Sequence, residues 1–352
     1  MTTREAAIRR LQQDTTPMPE GEAFTVDFYR PEDGYGVARL MYAVYGDGHP
    51  ADTYYIPDQL TEENRAGRIR SAVARTSDGQ VVCHEAFYRS SAPNPELYEL
   101  GMGLTLPPYR GSLAFARCTS LLLSLIENGT IKAAFGEAVC NHIITQKLSL
   151  QYQFTETALE VDLMPATAYT KEQASNGRVS CLMYFRIGQD QRRPLCLPDG
   201  YVEQLRFMME GVGIDRERIQ PSAELLSDVS ELEIEQFDGP GVCRCNINRP
   251  GKDLAQRLAT LEQEICSRNY ALLQCFVPLG AADAAAAVAV LRSAGFFLGG
   301  FLPAWFGYDG LLMQKLYVEP GFEAIKLHSE RAKTIMEMVR TDWQRSKALC
   351  NK

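Results

Sequence analysis

The stretch "GLTLPPYRGSLAFARC" (Gly103–Cys118) decides the fold of this chain. It reads as the end of an apolar strand, two prolines, a Tyr-Arg-Gly turn and the beginning of a helix. The first N–H groups of a helix have no intrahelical partners and its dipole favours an anion, while Arg110 adds a fixed positive charge. The passage therefore predicts a phosphate-binding turn. A plain connecting turn is the alternative, because the further glycines of such loops are missing.

The strand before this turn, "GMGLTL" (Gly101–Leu106), contains two glycines, which permit a β-bulge or the close approach of another chain. A splayed strand leaves backbone N–H and C=O groups free for an extended ligand that carries amides. An amide-rich arm beside a pyrophosphate describes coenzyme A. The residues predicted to bind it are Leu104, Thr105, Leu106, Arg110, Gly111, Ser112, Leu113 and Ala114.

Hydrophobic periodicity predicts the element order β-α-α-β-β-β-α-β-α-β-β over Phe24–Ile187, with a polar spacer at Thr167–Arg178. The rest of the chain repeats the second half of this order, which indicates an internal duplication. The predicted fold class is therefore α/β (an α+β mixed sheet), duplicated, with a degenerate second copy. The predicted segments are an N-terminal helix and linker (1–23), a first domain (24–190), a second domain (191–318) and a C-terminal helix (319–352).

Composition limits the classes of protein to consider. The chain has 352 residues, of which 45% are hydrophobic and 23% charged, as in globular proteins. Its net charge of −8 argues against nucleic acid as a main partner. It has neither an apolar stretch long enough to span a bilayer nor the apolar core of a signal peptide, so a cytoplasmic protein without membrane partners is expected. Ten dispersed cysteines and four histidines favour reduced core thiols over metal sites or disulfides.

The element order, the strand-Pro-x-Tyr-Arg-Gly-helix passage and the segment "GEAVCNHIITQKLSLQYQF" (Gly136–Phe154) resemble the GNAT acetyltransferase superfamily, and its bacterial two-domain members in particular. The resemblance covers about Phe24–Ile187, and the C-terminal part resembles a degenerate second GNAT-like domain. It implies an N-acyltransferase that uses an acyl-CoA, with acetyl-CoA as cosubstrate and no metal. The implied acceptor is a small-molecule or peptide amine, and a homodimer stays open.

The chain departs from the family's pyrophosphate loop, which reads Arg/Gln-x-x-Gly-x-Gly/Ala. Counted from Arg110, the two small positions fall on Leu113 and Phe115, or the last on Ala114 if the loop is one residue shorter. In the second half, "NRPGKDLAQ" (Asn248–Gln256) has no matching arginine and glycines. We therefore expect the second copy to be structural or substrate-shaping and its turn to be empty.

The resemblance also implies catalytic residues. Glu99 lies early on the splayed strand, where such enzymes often place a carboxylate base, with a solvated strand-edge charge as the alternative. The family's thiolate-protonating tyrosine falls on Ser149, and Tyr152 is the nearest substitute. His142 occupies the place of an asparagine that touches the pantetheine arm, or is simply a helix-start histidine.

Four further residues carry open alternatives. Glu137 lies in an apolar strand, where it faces a substrate cleft or pairs with an arginine. His84 and Glu85 alternate on one strand, so only one of them can face a cleft. Cys140 is a candidate nucleophile, although a cysteine in a strand is usually a core residue.

Two functions from other classes compete with the enzyme. One is a binding or sensor protein that kept the CoA groove and lost turnover. The other is a structural partner in a larger complex, suggested by the acidic composition and the C-terminal helix. The acceptor pocket has no local signature, so the sequence does not identify the amine.

Overall fold

The computed structural model describes residues 3–166 and 177–350, so most of the predicted polar spacer, residues 167–176, lies outside the described residues. The helices are α1 (Thr3–Gln13), α2 (Gly34–Tyr45), α3 (Pro57–Arg65), α4 (Ala114–Glu127), α5 (Ile144–Gln151), α6 (Val202–Met209), α7 (Leu254–Ser267), α8 (Ala284–Ser293) and α9 (Glu330–Cys350). The strands are β1 (Phe24–Phe28), β2 (Ile69–Thr76), β3 (Val81–Tyr88), β4 (Leu97–Thr105), β5 (Ala133–Val139), β6 (Thr155–Pro165), β7 (Arg178–Ile187), β8 (Arg193–Cys196), β9 (Arg216–Ile219), β10 (Glu231–Phe237), β11 (Val242–Arg249), β12 (Leu272–Pro278), β13 (Phe297–Leu302) and β14 (Gly310–Leu316).

The chain divides into two compact units. Unit 1 contains Met1–Ser91 and Tyr98–Ala134, and unit 2 contains Ala92–Leu97 and Phe135–Lys352. These units group the residues that pack together, whereas the predicted boundary after residue 190 separates the two copies of the duplication. That boundary stays a prediction. In unit 1 the strands β1, β2, β3 and β4 pair in this order and antiparallel. Helix α3 begins at Pro57, as predicted, because proline suits a first helical turn.

The sheet of unit 2 shows the duplication. Its strand order is β5-β7-β6-β13-β14-β12-β11-β10. The last strand of each copy lies between the two that precede it, so β7 separates β5 from β6 and β14 separates β12 from β13. Strands β11 and β12 are parallel while β12–β14 and β6–β7 are antiparallel, which confirms the predicted mixed α/β class. Element order from β3 to β7 matches the order from β10 to β14.

The two copies meet in unit 2 where β6 and β13 pair at a single position, Gly300 opposite Ala158. Gly300 has a φ of +148°, and a Cβ there would lie 2.3 Å from the Ala158 Cα. The buried amide of Gln314 donates to the Leu159 carbonyl at 2.8 Å and accepts from the Val161 N–H at 3.0 Å. The Gln314 side chain thus bonds backbone groups of β6 that do not pair with β13.

We expect Gly300→Ala to lower the free energy of unfolding by about 3 kcal/mol, because the new methyl group forces two backbones apart and occupies a strained φ. Urea denaturation followed by circular dichroism measures the change. Gly239→Ala is the matched control, since a Cβ at Gly239 meets nothing within 4 Å. Equal stability of Gly300→Ala and the wild type would contradict this account of the junction.

The C-terminal part of the chain departs from prediction. The C-terminal helix predicted for residues 319–352 begins only at Glu330, as α9, after a 3-10 turn (Phe322–Ala324) and an extended stretch. The buried Gln146 side chain donates to the Lys326 carbonyl at 2.8 Å and accepts from the His328 N–H at 2.9 Å, which holds this stretch extended. Ser329 then caps α9 through its Oγ, which accepts from the Ala332 N–H.

Three short elements in residues 193–219 were not predicted from the sequence. These elements are β8, α6 and β9, and β8 pairs with β9 in parallel. Strands of four residues give too few alternations for a pattern to emerge. Within residues 3–166 and 177–350, no helix combines the length and the apolar composition that crossing a membrane requires.

Candidate cofactor-binding and active site

Strand β4 contains the predicted bulge. His84 pairs with Leu104 and Ala86 pairs with Gly101, so β4 has one residue more than β3 between these pairs. The bulged residue Met102 has a φ of +53°, which residues other than glycine rarely adopt. A Cβ on the next residue, Gly103, would lie 2.6 Å from the ring of Phe115, the second residue of α4.

A buried histidine fixes the bulge. The His84 Nδ1 lies 3.0 Å from the Met102 carbonyl oxygen, which only accepts, so Nδ1 carries the proton. Nε2 then accepts from the Ser71 Oγ at 3.0 Å. Burial lowers the pKa of His84 to about 4, which keeps the imidazole neutral and this pattern of hydrogen bonds intact at neutral pH.

The predicted phosphate turn follows directly. Arg110 is exposed and forms no ion pair among the described residues. Gly111 has a φ of +86° with nothing within 4 Å of the position of a Cβ, so the backbone is open to a ligand. Ser112 Oγ accepts from the Ala114 N–H at 3.2 Å.

The first turn of α4 supplies donors. Of its N–H groups, that of Ala114 is bonded to Ser112 and that of Arg117 to the Leu113 carbonyl. In the described part of the chain, the N–H groups of Phe115 and Ala116 have no hydrogen-bond partner. No acidic side chain lies in this turn. The unbonded N–H groups, the helix dipole and Arg110 thus all lie within a few residues of the start of α4, where an anion is favoured.

Other predicted ligands contribute less through their side chains. Leu104 and Leu106 are buried, so only their backbone groups can reach an extended ligand. Thr105 lies at the end of β4, with its Oγ1 3.3 Å from the Cys83 Sγ. Leu113, at one of the family's small positions, is 61% exposed and therefore does not block the backbone by packing over it.

Glu85 lies buried on β3 beneath α4. Its Oε2 is 2.6 Å from the Thr119 Oγ1, which is also 3.0 Å from the Phe115 carbonyl oxygen. A threonine hydroxyl has one proton, so both contacts are satisfied when protonated Glu85 donates to Thr119 and Thr119 donates to Phe115. Burial raises the pKa of Glu85 to about 8, which agrees with that assignment. The sequence allowed only one of His84 and Glu85 to face a cleft. Both side chains are buried, so neither is exposed to an open cleft.

The three predicted catalytic residues lie in different places. Glu99 is half-buried on β4 in unit 1 and accepts from the Tyr88 hydroxyl at 2.5 Å, which orients its carboxylate. His142 and Tyr152 lie in unit 2, just before and just after α5. The His142 Nδ1 accepts from the Ile144 N–H at 3.3 Å, as a helix-start histidine would. His142 and Tyr152 thus lie at opposite ends of α5, which is about 12 Å long.

Several alternatives are decided in unit 2. Glu137 pairs with Arg244 at 3.3 Å, and Arg244 also pairs with buried Glu160, so the arginine alternative is correct. Cys140 is a core residue, and burial raises its pKa to about 12, which leaves a poor nucleophile. Asn141 was not predicted as a site residue. Both polar atoms of its buried amide lack a hydrogen-bond partner within the described ranges. Its position beside His142 was the available signal.

The corresponding turn of the second copy is covered by its own chain. A Cβ on Gly251 would lie 2.3 Å from the Val229 carbonyl carbon, and the Gly251 N–H donates to the Ser230 Oγ at 2.9 Å. The Lys252 N–H donates to the Ser227 carbonyl at 2.9 Å, and its Nζ pairs with Asp228 at 2.7 Å. The backbone N–H groups of Gly251 and Lys252 are therefore already used within the chain.

Within the described residues no group of three or more His, Cys, Asp and Glu side chains is placed to hold a metal ion. Models of known protein families give no match to this sequence, and no curated protein matches it. Solved structures do match. An N-acetyltransferase from Staphylococcus aureus Mu50 is 13% identical with a TM-score of 0.38, and the match covers 48% of this chain and 100% of that chain.

Two further matches have similar extents. An acetyltransferase from Salmonella typhimurium, solved with acetyl-CoA, is 13% identical over 49% of this chain and 98% of that chain, with a TM-score of 0.38. A ribosomal-protein-S5-alanine acetyltransferase from Vibrio fischeri is 9% identical over 48% of this chain and 96% of that chain, with a TM-score of 0.37. This chain is about twice as long as the structures that it resembles.

Proposed function

We propose that this protein is an N-acyltransferase of the GNAT type that binds an acyl-CoA, with acetyl-CoA as the first candidate, in unit 1. The observation that carries the proposal is the start of α4. There the free N–H groups of Phe115 and Ala116 and the unpaired Arg110 stand at the end of a bulged strand. A pyrophosphate fits these donors, and an amide-bearing arm would lie along β4 where the bulge interrupts its ladder.

In this proposal the amine nitrogen attacks the thioester carbonyl carbon, and the carbonyl electrons move to its oxygen. Collapse of this oxyanion breaks the C–S bond and releases the thiolate. Glu99 is the proposed base that takes the proton lost by the attacking nitrogen. The Tyr88 hydroxyl donates to its carboxylate and orients it. Backbone N–H groups near the Met102 bulge, held by His84, are the proposed donors to the oxyanion.

A second candidate is an acyl-CoA-binding sensor without turnover. It is favoured by Ser149, which stands on α5 where the resemblance implies a proton-donating tyrosine, and by Tyr152, which lies beyond the end of that helix. Melting curves with acetyl-CoA, followed by free-thiol release over a panel of amines, separate the candidates. Binding without thiol release on any amine supports the sensor, and no binding of any acyl-CoA removes both.

The proposed turn is tested by Arg110→Ala, which we expect to raise the dissociation constant of CoA about tenfold or more, since a charge-assisted contact is lost. Gly111→Val should have a similar effect, because a β-branched side chain at a φ of +86° distorts the turn and blocks backbone approach. Lys252→Ala is the matched control and should leave the affinity unchanged, because that turn is filled by residues 227–230. Calorimetric titration measures all three, with melting curves to verify folding. Equal affinity of wild type and Arg110→Ala would reduce the turn to a connection.

A further inference from the structure

Unit 1 contains a second cationic feature, far from the turn at Arg110. A cavity of about 580 Å³ opens beside the end of β1, the last turns of α3 and the C-terminal end of α4. Leu125, one of its lining residues, is eleven positions along α4 from Ala114, which places the cavity about 16 Å from the proposed pyrophosphate site. Its volume is typical of pockets that enclose a small organic molecule.

Arg70 is the charged group of this cavity. Its Nε is buried and has no hydrogen-bond partner, and its guanidinium forms no ion pair among residues 3–166 and 177–350. Arg65 also lines the cavity, but it is exposed and already pairs with Glu62 at 2.7 Å. A buried Nε–H without an acceptor is costly, so this position favours an anionic acceptor supplied by a ligand.

The surroundings keep this guanidinium in place. A Cβ on Gly67 would lie 2.8 Å from the Arg70 Nη2, so the side chain packs closely on the glycine backbone. The polar lining includes Thr61, Asn64 and Thr130. Phe28, Pro31 and Leu125 add an apolar wall. The Thr61 hydroxyl and the Asn64 amide already donate hydrogen bonds within the chain. The cavity thus offers the fork-shaped guanidinium of Arg70, the Thr130 hydroxyl and an apolar surface.

We propose that this cavity binds a small organic oxyanion, a carboxylate or a phosphate monoester with a short apolar body, through the guanidinium of Arg70. The planar fork of arginine matches both kinds of oxyanion in a bidentate manner. The apolar wall contacts the body of the ligand. This site is separate from the CoA site, and the proposal does not depend on acyl transfer.

The test uses benzoate and phenyl phosphate as probes, with benzamide as the neutral probe of the same shape. Binding to the full chain is measured by ligand-observed NMR titration. Saturable binding of benzoate or phenyl phosphate, with benzamide at least tenfold weaker, is the expected result, and the preferred anion identifies the ligand class. No saturable binding of either anion at 20 mM, or equal binding of benzamide, overturns the proposal.

Variants locate the site. Arg70→Met should raise the dissociation constant of the bound anion at least tenfold, whereas Arg192→Met, a change at an exposed arginine, should leave it unchanged. Thr130→Trp fills the cavity from an exposed position without removing a charge, so it should also weaken binding at least tenfold. This second variant keeps the proposal testable if Arg70→Met unfolds. Unchanged affinity in Thr130→Trp, or displacement of the probe by CoA, overturns the proposed location.

Discussion

Glu85→Gln is expected to become more stabilising, relative to the wild type, as pH rises from about 4.5 to about 8. Below pH 4.5 the wild-type carboxyl is protonated in both the folded and the unfolded chain, so the two proteins respond alike. Between the two values the unfolded wild type loses this proton while the folded protein keeps it. Stability of the wild type therefore falls with rising pH in this window.

The size of the effect follows from the raised pKa. A pKa of about 8 in the folded protein against 4.5 in the unfolded chain corresponds to a difference of about 5 kcal/mol between the variant and the wild type above pH 8. Glutamine has the shape of the protonated acid, and its amide can donate to Thr119 as the neutral carboxyl does. The variant thus removes the titration and keeps the hydrogen bond.

Urea denaturation of both proteins at pH 5 and pH 9 measures the difference. The depressed pKa of His84 affects stability in both proteins alike and cancels in the comparison. Glu32→Gln, a change at an exposed carboxyl, is the control and should show the same difference from wild type at both pH values. A Glu85→Gln difference that does not change with pH would mean that Glu85 is ionised in the folded protein.

Glu99→Gln is expected to lower kcat/KM for the amine about 10²- to 10⁴-fold, if the protein turns over, because the amide cannot accept the proton of the attacking nitrogen. The affinity for acyl-CoA should not change, since Glu99 lies on β4 before the bulge and away from the turn. Thiol release with saturating acyl-CoA measures the rate, and calorimetry measures the affinity.

The comparison uses Glu235→Gln, the same chemical change at an exposed position on β10, which should leave the rate intact. Tyr88→Phe removes the donor that orients Glu99 and should cause a smaller loss than Glu99→Gln. A rate within twofold of wild type in Glu99→Gln would assign the proton to another acceptor and make Glu99 a strand-edge charge.

Local patterns in the sequence were sufficient for the order of elements. Alternation and helical spacing extend over one strand or helix, so they predicted every element from β1 to β7 and the beginning of α3 at Pro57. The two glycines of "GMGLTL" likewise predicted the bulge, because both the bulge and its cause lie within a few residues. The Arg110–Gly111 turn was visible for the same reason.

The environment of each candidate residue came only from the tertiary structure, because its partners are remote along the chain. His84 is held by Ser71 and Met102, and Glu85 by Thr119, so neither tautomer nor protonation follows from the motif. The Arg70 Nε is buried without a partner in a cavity that the ends of β1 and α4 also line, so its state depends on segments remote along the chain.

The same reason explains the two copies' different turns. Both turns precede a helix, and a local reading gives each a row of free N–H groups. In the second copy, residues 227–230 lie over Gly251 and accept hydrogen bonds from the N–H groups of Gly251 and Lys252, whereas nothing lies within 4 Å of a Cβ at Gly111. Local patterns predict that a helix begins at each place. Whether the turn before the helix is open or covered was decided by a segment more than twenty residues away, since hydrogen bonding and burial depend on which segment packs there in the folded protein.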